Sequence, residues 1–170
     1  MLISDALAKT ICQQIGLEYY AAIQYAMIAS YVEREALPEL TALFRSQAAE
    51  ELIHGQKFID YVSEAGGIVE IPAIDKGRAD FASLEDAVQT ALDNELKVTA
   101  TINSLMDQAI EENDHLARGF LQWFVDEQLE EVSLQSDLLT VVKRATKDLN
   151  YVEQYVSRLP KSVGASATGT

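Results

Sequence analysis

The chain has 170 residues, 48% of them apolar, and a formal net charge of −14, which suits one globular domain with a sizeable core. The acidity argues against nucleic acid, whose binding rests on phosphate neutralisation, and disfavours anionic membranes while attracting cations. No apolar run approaches the ~20 residues that span a bilayer, Met1–Gly16 lacks the regions of a secretory signal, and the single Cys12 cannot form an intramolecular disulfide; together these predict a cytoplasmic protein.

The first predicted helix runs from about Ser4 to Arg34. Its apolar stripe, Ile11, Ile15, Ala22, Tyr25, Ala29 and Val32, advances in steps of three and four. Glu18 occupies an inward slot of that stripe. A second helix begins near Pro38, a residue suited to a first helical turn, and ends near Gly66. Its stripe is Leu40, Phe44, Gln47, Glu51, His54, Phe58, Tyr61 and Ala65. The short link between these helices predicts an antiparallel pair.

Gly66–Ala82 carries Gly66, Gly67, Pro72 and Gly77 and reads as a long non-helical connection. A helix of about 28 residues is ~42 Å long, and an extended segment of this length reaches ~56 Å. The connection can therefore run the length of the bundle and leave helices two and three parallel. Helix three opens at Ser83, a plausible N-cap, with Leu84, Val88, Ala91, Glu95, Val98, Ile102, Leu105 and Ala109 in phase. Helix four starts near Asp114, with Ala117, Leu121, Phe124, Gln128, Glu131, Gln135, Leu138 and Val142 in phase. A short fifth helix follows Asp148 and stops at Pro160. Residues 1–160 are thus expected to form one domain and 161–170 a disordered polar tail. The predicted fold is all-α: a four-helix bundle with one long crossover between helices two and three and a short C-terminal helix.

Four carboxylates, Glu18, Glu51, Glu95 and Glu131, therefore stand where a bundle buries apolar side chains. His54 and Gln128 join them. Glu18, Glu51 and His54 recur 77 residues on as Glu95, Gln128 and Glu131. Buried carboxylates without a cationic partner are costly, and a pair of metal ions between them is the simplest remedy. Carboxylate oxygens with one imidazole suit iron, manganese or zinc. The repeat is imperfect, so the two metal positions should differ in strength, the Gln128 side binding more weakly.

These residues resemble the non-haem bacterial ferritins along nearly the whole chain. The resemblance is carried by Gln24-Tyr25 after Glu18, by Ala49-Glu50-Glu51-Leu52-Ile53-His54, by Glu95, by Ile71-Pro72, and most specifically by Gln122-Trp123-Phe124-Val125-Asp126-Glu127-Gln128-Leu129-Glu130-Glu131. It implies a homo-oligomeric shell of 24 subunits with a ferroxidase centre inside each. Fe(II) would be oxidised there by dioxygen or hydrogen peroxide and stored as a ferric mineral. One iron would use Glu18, Glu51 and His54, the other Glu51, Glu95 and Glu131 with Gln128 nearby. A third, weaker iron position would use Glu50, Glu127, Glu130 and Glu131; the alternative for Glu50, Glu127 and Glu130 is an exposed acidic helix face.

By the same resemblance Tyr25 is a candidate hydrogen-bonding and one-electron partner in oxygen reduction, and Trp123 a candidate for a similar part; core packing is the alternative for both. Glu131 stands where a haem-binding bacterioferritin has a second histidine, and Leu52 where it has its haem-ligating methionine, so no haem is expected. The competing function is a dinuclear-metal oxidase or peroxidase that does not store iron. A shell subunit with a dead site is a third reading, opposed by the complete ligand set.

Overall fold

A computed structural model describes residues 2–160. Five helices make up the fold, with no strand among the described residues: α1 Asp5–Arg34, α2 Pro38–Glu64, α3 Leu84–Glu111, α4 His115–Ala145 and α5 Leu149–Val156. The helix starts follow local chemistry. Ser4 caps α1 by accepting from Leu7 N at 3.0 Å, Ser83 caps α3, and Asp114 caps α4 by accepting from Leu116 N and Ala117 N. α2 differs. Its N-cap position is Leu37, which has no side-chain acceptor, and the missing acceptor comes from the far end of the chain. The Glu153 carboxylate of α5 takes Glu39 N at 2.9 Å and Leu40 N at 3.0 Å. A carboxylate at a helix N-terminus also meets the positive end of the helix dipole. That contact, with Val152 and Val156 buried beneath it, pins α5 across the end of the bundle.

The crossover runs beside α1 from one end to the other. Near its start Cys12 Sγ accepts from Glu70 N. In the middle Pro72 lies against Gly16, where an added Cβ would stand 2.5 Å from the proline ring. Towards its end Arg78 N donates to Gln24 Oε1 at 2.8 Å, and Phe81 packs edge-on to Tyr31. Since α2 ends at the α1 N-terminus, where Leu2 N bonds Ala65 O, and α3 begins near Tyr31, α2 and α3 are parallel. The four-helix bundle with a single long crossover is therefore the observed fold. The polar tail expected at 161–170 lies outside the described residues.

The core is two apolar clusters. One holds Ile28, Val32, Leu40, Phe44, Val88 and Leu138 with α5. The other holds Ile11, Ile15, Phe58, Ile102, Leu121 and Phe124. Between them, near the middle of all four long helices, lies a layer of buried polar side chains.

Candidate metal centre

Helical phase alone puts these polar side chains inside. Glu18 of α1, Glu51 and His54 of α2, Glu95 of α3, and Gln128 and Glu131 of α4 are all buried, none more than 5% exposed. Residues three apart on a helix share a face, so Glu51 with His54, and Gln128 with Glu131, point the same way. Among the described residues the one basic side chain within ion-pair distance of these carboxylates is His54, beside Glu51 and Glu18. Its Nδ1 lies 3.2 Å from Glu51 Oε2 and 3.9 Å from Glu18 Oε2.

The two sides of the layer are not built alike. Donor atoms of Glu18, Glu51 and His54 lie within 4.8 Å of one another, a spacing one cation can bridge. Gln14, one turn before Glu18, donates to Glu18 Oε1 at 2.7 Å, and Glu18 Oε2 has no hydrogen-bond partner among the described residues. Glu95, Gln128 and Glu131 line the opposite side. Each is held by neighbours. Tyr25 Oη donates to Glu95 Oε1 at 2.5 Å. Gln128 Nε2 donates to Glu95 Oε2 at 3.2 Å and to Thr99 Oγ1 at 3.1 Å. Gln47 Nε2 donates to Glu131 Oε1 at 3.5 Å, and Glu131 Oε2 is left without a partner among the described residues. Buried carboxylate oxygens facing the layer with nothing to accept from are what a hard or borderline cation would satisfy.

The electrostatics agree with that geometry. Burial pushes the Glu18 carboxyl well above its usual range, and the Glu51 charge pushes it further. Burial and then Glu95 do the same to Glu51. Glu131 is pushed up to about 9, by burial first and by Glu95 second. Burial raises Glu95 as well, against the opposing hydrogen bonds from Tyr25 and Gln128. The metal-free layer therefore carries protons at neutral pH that a bound cation would displace. Tyr25, buried and facing Glu95, is held well above the usual phenol range.

The remaining candidates stand at the margin. Glu50 and Glu127 are half-buried and Glu130 is exposed. Glu127 Oε1 comes within 3.8 Å of His54 Nε2, and Glu50 Oε2 accepts from Gln47 Nε2 at 2.6 Å. Trp123 touches the site only through its ring, edge-on to His54 at 5.5 Å between centroids. Its outer face is covered by the Lys57 ammonium at 3.7 Å. Gln14, Gln47 and Gln135 went unassigned on sequence grounds, yet all three are buried around the layer. The available signal was their phase: Gln14 and Gln47 lie one turn before Glu18 and Glu51, and Gln135 one turn after Glu131.

Fold and site together define a helical bundle whose core is interrupted by one carboxylate-rich layer. Residues 8–145 match the family described as Ferritin-like domain. The chain is 38% identical to Ferritin BfrB of Mycolicibacterium smegmatis over 155 residues, covering 91% of this chain and 86% of that one. It is 31% identical to the bacterial non-heme ferritin of Staphylococcus aureus over 93% of this chain and 95% of that one. Among solved structures, an open-pore ferritin from the archaeon Archaeoglobus fulgidus superposes with a TM-score of 0.89 at 31% identity, over 94% of this chain and 99% of that one. The chain belongs to the ferritin family. With that membership comes iron storage as its broad function. No described helix is long and apolar enough to cross a membrane.

Proposed function

We propose that the chain is an iron-storage ferritin that oxidises Fe(II) within each subunit and holds the ferric product inside a shell of 24 copies. The observation that supports this best is the layer itself: four buried carboxylates beside a single imidazole, with an unpartnered carboxylate oxygen on Glu18 and another on Glu131 among the described residues. One Fe(II) would sit between Glu18, Glu51 and His54. A second would sit between Glu51, Glu95 and Glu131, Glu51 serving both. Two Fe(II) each give one electron to dioxygen, which takes up two protons and leaves as hydrogen peroxide; with peroxide as oxidant the same two electrons yield water. Glu50, Glu127 and Glu130 continue the acid surface outward from the layer and form a weaker third position through which product leaves. Tyr25, in contact with Glu95, is the reading's candidate electron donor, and no haem is required.

The test is aerobic addition of Fe(II) to apo-protein, following ferric absorbance and particle size together. Fast oxidation beginning at two irons per chain, in a shell-sized particle that goes on to load far more, is expected. Oxidation that ends at two per chain in a small oligomer would instead identify a dinuclear oxidase. His54→Ala and Glu131→Gln should each slow oxidation strongly in a folded bundle, and unchanged rates in both would refute the site assignment.

A further inference from the structure

Gln47 and Gln135 lie between the metal layer and the apolar cluster that contains Tyr25, and the site as proposed gives them no role. Both are buried, Gln135 completely. They form one continuous chain of hydrogen bonds. Gln47 Nε2 donates to Glu50 Oε2 at 2.6 Å and to Glu131 Oε1 at 3.5 Å. Gln135 Nε2 donates to Gln47 Oε1 at 2.9 Å and to Tyr25 Oη at 3.1 Å. Tyr25 Oη donates to Glu95 Oε1 at 2.5 Å.

The direction of that chain is set from its Glu50 end. An amide nitrogen has two hydrogens, and the Glu50 carboxylate accepts from Gln47 at 2.6 Å, so the Gln47 nitrogen faces it. Its oxygen must then face Gln135. Turning the Gln135 amide over would set two carbonyl oxygens against each other, so the Gln135 nitrogen faces both Gln47 and the phenol. Both Gln135 hydrogens are thereby used, and its own Oε1 is left without a partner among the described residues. That is a costly arrangement for a fully buried amide. With its acceptor side occupied, the phenol has one direction left for its single hydrogen, which is Glu95. Glu95 accepts on its other oxygen from Gln128 as well.

We propose that Gln135, set by Gln47, is a positioning residue that fixes the Tyr25 hydroxyl hydrogen on Glu95, and so aims the phenol at the metal layer. This rests on the proposed site for its functional consequence, but not for its geometry. Glu50, at the outer margin of the layer, and Tyr25, on its inner side, become the two ends of one hydrogen-bonded device.

The test has two arms. In metal-free protein, the Raman doublet of Tyr25, isolated by subtracting the spectrum of the Tyr25→Phe variant, should report a hydroxyl that both donates and accepts. In Gln135→Leu it should shift to the pattern of a donor only. An unshifted doublet would overturn the proposal, and Gln47→Leu, which frees the Gln135 amide to turn, provides the second variant should Gln135→Leu not fold. In the iron arm, Gln135→Leu should oxidise Fe(II) at the rate of Tyr25→Phe, and the double variant should be no slower than either. Co(II) stoichiometry and spectrum should stay as in the wild type. Losses that multiply, or a disturbed Co(II) site, would assign Gln135 a general structural role instead. A wild-type protein that oxidises no Fe(II) would refute the ferroxidase reading alone, since the Raman arm needs no iron.

Discussion

Glu131 gives the sharpest energetic test of the metal layer, because its protonation must differ between the folded and unfolded chain. Its carboxyl titrates at about 9 in the folded protein against 4.5 for an ordinary glutamate. A folded value above the unfolded one means that the group's contribution is fully present below pH 4.5 and is lost as pH rises towards 9. Over that window the folded state holds a proton the unfolded state has released, so stability falls by about 1.4 kcal/mol per pH unit. From pH 4.5 to 7 the loss is about 3 kcal/mol per subunit. Glu131→Gln keeps the shape and the acceptor oxygen but cannot titrate. Its urea-unfolding free energy, measured in metal-free protein at equal subunit concentration, should therefore gain on the wild type by about 3 kcal/mol between pH 4.5 and 7. Zn(II), which binds without redox chemistry, should restore the wild type at pH 7 far more than the variant, since it supplies the charge that the proton replaced. If the two stability curves stay parallel within about 0.5 kcal/mol across this range, Glu131 does not occupy the buried, like-charged position described here.

Binding two Zn(II) at pH 7 should release protons, read by calorimetry in buffers of different ionisation heat, and affinity should rise with pH as the buried carboxylates are freed; no proton release would contradict their raised values. Glu153→Ala should destabilise by about 1–2 kcal/mol, the worth of a lost helix cap, with the loss read by thermal unfolding and smaller in Glu153→Gln, which keeps one of the two acceptor oxygens. Gly16→Ala should cost about 1–3 kcal/mol by driving a methyl into Pro72, read by denaturant unfolding, whereas the open position of Gly119 should accept alanine without loss.

The bundle was legible because its signals are local and repeated. Three of the four long helices begin at a Ser or Asp whose side chain does cap them, and the Gly- and Pro-bearing Gly66–Ala82 segment does run the full length of α1. The carboxylates were legible for the same reason, as charges interrupting an apolar stripe. What stayed hidden is non-local. Nothing near Leu37 announces that its helix is capped by Glu153, more than a hundred residues later. A glutamine in an apolar stripe does not reveal its partner, so Gln47 and Gln135 passed as stripe positions although each contacts the site. Gln128 was expected near the second metal position, and its phase did not reveal that its amide nitrogen donates to Glu95 and Thr99.

The internal repeat explains why the layer exists, and its departures explain its polarity. Glu18 and Glu95 are repeat partners, as are Glu50 and Glu127, so the carboxylates have near-symmetric anchors. The residues behind them do not. Tyr25, Gln47 and Gln135 correspond at the same offset to Ile102, Phe124 and Phe58. The His54 side of the layer is consequently backed by aromatic rings, with Phe124 at 6.0 Å from the imidazole, and the Glu131 side by a phenol and two amides. On the His54 side Gln14 holds one oxygen of Glu18, the other oxygen stays without a partner among the described residues, and the donor atoms of Glu18, Glu51 and His54 lie within 4.8 Å of one another. Polar backing ties Glu95 to Tyr25 and Glu131 to Gln47, so a cation there would compete with both for carboxylate oxygens. The weaker binding expected on the Gln128 side would thus have a second source, in the Tyr25 and Gln47 side chains behind the carboxylates.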